Sequence, residues 1–349
     1  MAHLTRRNEA LKHGRIEKSG SREYAGVLDR PPPPEAETKL PDSFGRRFIV
    51  FGDCEEEFEW GAPLDRGATA TTAIAALPAA TRRFGARGIV PTYLVDWPVA
   101  ANAASAAIMA EMSEQGLCDI GAHLHPWVNP PHEEEVNRPN SFAGALPREL
   151  ELAKLKKLTE RLTALAGRPP VAYRAGRYGV GPETARSLRT LGYRFDVSVR
   201  SCFDYSEEGG PDFTHHPIHP YWADEDLLEL PLTACLEGPL RAWPGLSRHE
   251  RLRGPLARSG LFNRIPLTPE GVRLREAIRA IETLLDRGHR LFSLSFHTPT
   301  VEPGHTPYGA DEAAVRAFWA WWDGVFDLFD RHGVTPVRSD EIVGAAHQA

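Results

Sequence analysis

The chain has 349 residues with a net charge of −6, 25% charged and 42% hydrophobic side chains. This is enough for one large α/β barrel or two average domains in an ordinary soluble composition, and the lack of a basic excess argues against nucleic acid as a partner. The four cysteines, Cys54, Cys118, Cys202 and Cys235, form no C-x-x-C pair, which argues against a zinc ribbon or a thioredoxin-type site and predicts reduced thiols.

Residues 1 to about 45 are charged and polar and include RPPPPEAETKLPDS, a composition that favours extended polyproline conformation and predicts a loose arm. The first twenty residues lack an apolar signal core, and no uncharged stretch reaches the roughly 20 residues needed to span a bilayer, so the expected location is cytoplasmic without a membrane span. From 46 to 345, short apolar runs alternate with helical periodicities. The runs are FIVF (48–51), IVPTYLV (89–95), CDIGAHL (118–124), VAYR (171–174), FDVSV (195–199), LLELPL (227–232), LFSLSF (291–296) and VTPV (334–337). Continuous apolar runs are the mark of strands buried on both faces of a parallel sheet.

Between them, LPRELELAKLKKLTERLTALAG sets Leu155, Leu158, Leu162 and Leu165 on one stripe and stops at Gly167; two further helices stop at Gly192 and Gly288. Repeated helix-then-strand units predict a parallel sheet with enough strands to close a barrel. The stretch from about 236 to 271 breaks the rhythm and reads either as an excursion over the barrel mouth or as an ordinary long loop with a short helix. The Trp-rich FWAWWDGVFDLF (318–329) reads as a buried outer helix or a subunit interface, and the oligomeric state stays open.

Active sites of parallel barrels gather where strands end, and there the sequence places ionisable groups: Asp53, then His123 and His125, Arg174, Asp196 and His297. Taken singly, each has an ordinary structural explanation, Asp53 as a helix cap, Arg174 and Asp196 as ion-pair residues. His123 and His125 differ, because positions i and i+2 of an extended segment face one side and can offer two imidazoles to one metal. The run DCEEEFE (53–59) packs five carboxylates into seven positions, which costs energy unless something positive offsets it. A solvated turn explains it; so does a cation faced by Asp53 and Glu55, with Glu56, Glu57 and Glu59 directed at solvent, at hydrogen-bond donors behind the ligands or at the next helix. Zinc commonly takes two histidines and a carboxylate, keeping one position for water.

In their order, GDCEEEF (52–58), IGAHLHPW (120–127), YRAGRYG (173–179), YRFDVSV (193–199) and LFSLSFHTP (291–299) resemble the motifs of the NodB-homology polysaccharide deacetylases, most closely their WalW-like branch. The resemblance covers roughly residues 47 to 340 and implies a deformed (β/α)7 barrel. It implies Asp53 as catalytic base, Arg174 as the residue that orients it, Asp196 and His297 as the pair supplying the general acid, and Glu55 and His123 as metal ligands. The chain departs from the pattern at three places. The family's second histidine lies four positions after the first, where this chain has Trp127, so His125 must substitute; the arginine motif has Gly176 where many relatives carry Pro; and Glu55 stands where relatives often have Asp.

The implied function is removal of an N-acetyl group from an amino sugar of a polysaccharide or its precursor, with Zn2+ or another divalent transition metal as cofactor. The expected substrate is a carbohydrate bearing an acetamido group, and the cytoplasmic expectation points to nucleotide- or lipid-linked precursors. Trp60, Trp97, Trp127, Tyr178, Tyr221, Trp222 and Trp243 are candidate sugar platforms, although packing accounts for aromatic residues as well; His305 is a further candidate contact. Three rival readings remain: a different amide or C–N hydrolase on the same fold, an amidohydrolase-type barrel, and a degenerate barrel that only binds glycans.

Overall fold

A computed structural model describes residues 28–348. Its strands are β1 (Arg46–Cys54), β2 (Thr92–Val95), β3 (Asp119–Leu124), β4 (Ala172–Ala175), β5 (Phe195–Asp196), β6 (Tyr221–Asp224), β7 (Leu227–Glu229), β8 (Ala234–Glu237), β9 (Asn263–Pro266), β10 (Leu291–His297) and β11 (Val334–Pro336). All eight apolar runs of the sequence contribute a strand. The main sheet runs β10-β1-β2-β3-β4-β5-β7-β6, with β11 also on β1, and every neighbouring pair from β10 through β7 is parallel. Seven parallel strands thus curl into the deformed (β/α)7 barrel expected from the sequence.

Its two ends do not meet through a strand ladder. Side chains join them instead: Thr233 and Ser293 each donate a backbone N–H to the other's hydroxyl, at 2.8 and 2.9 Å, and the Ser293 hydroxyl donates to the Pro231 carbonyl.

The helices are α1 (Leu77–Gly85), α2 (Trp97–Ala101), α3 (Ala103–Glu114), α4 (Arg148–Ala166), α5 (Thr184–Thr190), α6 (Glu250–Arg258), α7 (Leu274–Asp286), α8 (Glu312–Arg331) and α9 (Ser339–Ala346). Helix α4 buries Leu155, Leu158 and Leu162, with Leu165 packed at the edge, and ends at Gly167 with φ 69°, a left-handed closure that glycine adopts without strain. Helix α8 buries Phe318, Trp321, Trp322, Phe326 and Phe329, as its aromatic run predicts.

Alternation along the strands sorts the core into two layers. On β1, Phe48 and Val50 face the outer helices, while Ile49 and Phe51 face the barrel interior with Leu94, Ala172, Phe195, Val197, Leu228 and Leu291.

One expectation changes. The arm expected over 1–45 falls partly outside the described residues, and its described part, 28–45, is packed: Leu28, Ala36, Leu40 and Phe44 are buried, and Arg290 donates to the Leu40 and Pro41 carbonyls. Leu28 packs into the outer layer of the core, and Leu40 and Phe44 into the inner one. The irregular stretch 236–271 carries the short helix of one of its two readings, α6, together with β9, which pairs antiparallel with β8, and its end reaches the site described next.

Candidate metal centre and active-site cleft

Strand alternation decides which side chains reach the cleft. Asp53 has the same parity on β1 as Ile49 and Phe51, so it points inward; by the same count His123 on β3, Arg174 on β4 and His297 on β10 also point inward at the strand ends. Register places Asp53 beside His297 and His123 beside Arg174. Asp53, Glu55, His123, His125, Arg174 and His297 all line one cleft of about 890 Å3.

Glu55, His123 and His125 form a buried cluster. Glu55 Oε2 lies 3.5 Å from Nε2 of each histidine, too long for a good hydrogen bond. Each imidazole is turned by its other nitrogen. His123 Nδ1 donates to the Arg174 carbonyl at 3.1 Å, and His125 Nδ1 donates to Glu56 Oε2 at 2.8 Å. Both Nε2 lone pairs therefore converge on the Glu55 carboxylate without a proton between them, the orientation that metal-binding histidines take. Burial holds both imidazoles neutral, His123 below its ordinary value and His125 down to about 4, and burial raises Glu55. A desolvated carboxylate faces two neutral imidazoles here, with His297 as the nearby positive influence, and two nitrogens with one oxygen suit a divalent transition ion.

The substitute histidine has its own supports. The His125 ring stacks on Trp127 with centroids 4.3 Å apart. A Cβ at Gly176 would fall 2.2 Å from His125 Cδ2 and 2.6 Å from the Leu124 carbonyl oxygen, so the absence of a side chain at 176 makes room for the imidazole. The following loop, 126–131, is pinned by Lys154 of α4, whose Nζ donates to the Pro126, Asn129 and Pro131 carbonyls and pairs with Glu134 at 2.9 Å.

Arg174 is fully buried and donates to Asp53 Oδ1 at 2.5 Å and to the Val197 carbonyl at 3.1 Å. Burial alone would raise the Asp53 carboxyl, but Arg174, with the charged His297, outweighs it and holds the group below its ordinary value. Asp53 is thus ionised and aimed into the cleft.

His297 is oriented by a residue that the sequence reading missed. Its Nδ1 lies 2.7 Å from Glu270 Oε2, its backbone N–H donates to Glu270 Oε1, and Thr300 donates to that same oxygen. Burial would lower the imidazole, yet Glu270, Glu55 and Asp53 push it up to about 10. The expected pairing with Asp196 does not occur. Asp196 alternates with Phe195 and Val197, which face inward, and so lies on the outer face of the sheet, accepting from the Ser198 N–H and hydroxyl beside Glu229. Burial raises both Asp196 and Glu229, so the pair retains a proton. Only alternation along FDVSV could have given this warning.

Of the acidic run, Glu56 does not face solvent. It is buried, accepts from His125, and its backbone N–H donates to Asp96 Oδ2 at 2.8 Å; burial raises its carboxyl to about 7. Glu57 caps Ala73 and pairs with His305 at 3.2 Å, which ties His305 outside the cleft lining. Trp60, Trp127 and Tyr178 line the cleft; Trp97, Tyr221, Trp222 and Trp243 do not.

By sequence, no family model and no curated protein matches the chain. By structure it resembles a probable polysaccharide deacetylase from Pseudomonas aeruginosa PAO1, with TM-score 0.52 and 15% identity over 94% of this chain and 98% of that one. It also resembles Puue allantoinase, with TM-score 0.50 and 16% identity over 95% of this chain and 98% of that one. These likenesses show the fold.

Proposed function

We propose that this protein is a metal-dependent hydrolase that removes the N-acetyl group from an amino sugar of a polysaccharide or of its precursor. One observation carries the reading: an aimed carboxylate, a carboxylate with two imidazole lone pairs and a protonated imidazole meet at one end of one cleft. When bound by Glu55, His123 and His125, a divalent ion, zinc by the donor set, supplies a lowered water pKa and polarises the acetamide carbonyl.

The chain's own residues do the rest. Asp53, kept ionised by Arg174, takes the proton of the attacking water. His297, kept protonated by Glu270, delivers a proton to the departing amine as the C–N bond breaks; proton transfers of this type contribute roughly 10²–10⁴-fold each. Trp60, whose ring meets His297 edge-on at 4.8 Å, walls the leaving group from water and offers a face to a sugar ring.

Purified protein reconstituted with zinc is expected to release acetate from acetamido sugars, and Asp53→Asn is expected to lower kcat by about 10²-fold or more while still binding zinc. No acetate from any acetamido sugar, with zinc bound, would refute the proposal. A second reading, hydrolysis of a non-sugar C–N bond, is favoured by the likeness to an allantoinase; turnover of small ureides in the same assay separates the two. Among the described residues no helix is long and apolar enough to cross a membrane. A cytoplasmic location and a nucleotide- or lipid-linked substrate belong to the same proposal, checked by cell fractionation.

A further inference from the structure

The cleft holds a cation that the chemistry above does not use. Beyond Arg174, three arginines line it: Arg138, Arg177 and Arg200. Arg177 bonds Glu208, and Arg138 lies 4.0 Å from the same carboxylate. Arg200, on the segment after β5, pairs with no carboxylate among the described residues. It gives one N–H to the Tyr205 hydroxyl at 3.0 Å, and its guanidinium carbon lies 3.9 Å from the Phe203 ring centre and 5.0 Å from that of Tyr178. The exposed carboxylates on the 58–68 loop border the same cleft without pairing with it.

A guanidinium presents five N–H donors in one plane. Stacking on rings fixes that plane without consuming donors, so the fork stands ready for a planar or tetrahedral oxyanion at little entropic loss. The seat is built rather than incidental: Tyr178 follows Arg177 through two consecutive left-handed residues, φ 53° and 62°, a conformation that persists only where its surroundings enforce it. A cavity of about 890 Å3 lies at the upper end of small-molecule sites, with room beyond the acetamido group.

We propose that Arg200 forms an oxyanion subsite, taking a carboxylate or phosphate carried by the same substrate whose acetamido group is presented to Glu55, His123 and His125. The proposal rests on the deacetylase reading for the identity of that substrate. It makes the substrate class an acidic acetamido sugar and not a neutral one.

Binding to the metal-free full chain tests it without turnover. Calorimetry with N-acetylglucosamine 1-phosphate, N-acetylmuramic acid and neutral N-acetylglucosamine is expected to show at least one acidic sugar bound about 10- to 100-fold tighter than the neutral one. The arm that shows the gap identifies phosphate or carboxylate. In Arg200→Met the gap is expected to close, and in Arg200→Lys to survive in part. Tyr205→Phe, which keeps the charge but frees the guanidinium, is expected to narrow it and serves if Arg200→Met does not fold. Equal binding of acidic and neutral sugars by the native chain, or a gap that persists in Arg200→Met, overturns the subsite. With zinc restored, the acidic-to-neutral ratio of kcat/KM is expected to follow the same pattern, through KM. Arg200-dependent binding without acetate release from any sugar supports the subsite and refutes the deacetylase reading.

Discussion

At the scale of single residues, two departures from the family pattern explain each other. A histidine two positions after His123, not four, brings its ring over residue 176, and only glycine leaves space there. Gly176→Ala is therefore expected to displace His125 and weaken zinc binding by about 10- to 100-fold, measured by competition with a chelator, while β1 and Asp53 remain in place. Glu270 has an equally local test. Because Glu270 raises the His297 pKa, the protonated form survives into alkaline pH; Glu270→Gln lowers that pKa, so the alkaline limb of the pH–rate profile is expected to move to lower pH. Asp53, His123, His125, Arg174 and His297 were legible in the sequence as ionisable groups at strand ends, and Glu55 as a member of the acidic run that follows the first. Glu270 was not, since LTPEG follows an irregular stretch, and nothing local says which distant histidine a lone glutamate meets.

At the scale of elements, the loop after β3 shows how a helix supports a site it does not touch. Lys154 sits among the leucines of α4, where its sequence reads as part of a solvated charge pattern, yet it is fully buried and holds three carbonyls of the loop that follows His125. Lys154→Met leaves those carbonyls without their donor and Glu134 with Arg66 alone, and is expected to lower stability by about 3 kcal/mol, measured by urea unfolding, with zinc affinity falling as well. Periodicity reveals a helix's apolar stripe but not the one cation turned inward beside it. The same rule of alternation that placed His123 and His125 together also placed Asp196 on the far face of the sheet. Strand parity was available in the sequence; the direction of β5 was settled by Phe195 and Val197 filling the barrel.

At the scale of the whole molecule, the barrel was legible because each apolar run became a strand and each glycine stop closed a helix, whereas the packed segment 28–45 was hidden by its proline-rich composition. Leu28 and Phe44 are few in number, and their burial depends on surfaces contributed by distant parts of the chain. Charge buried during folding also sets how the protein meets acid. Burial, with His219 beside it, lowers His289 to about 3 from 6.5. Its neutral form is required in the folded state, so the unfolded chain binds the proton first as pH falls below 6.5 and stability is lost from there toward pH 3. His289→Leu is expected to spare about 2 kcal/mol of that loss between neutrality and about pH 5, read from melting curves across pH.

The missing ladder between the ends of the sheet gives His297 and Glu270 a second task. His297 ends the strand on one lip of that opening, and Glu270 lies on the chain that returns along it, where Ser295 donates to the Leu267 carbonyl at 3.3 Å. Their contact works as a clasp across the mouth of the cylinder. Amide hydrogens on both lips, at Ser293, Ser295 and Thr233, are expected to exchange faster together in Glu270→Gln, so that the grip which readies the acid also keeps the wall from unzipping.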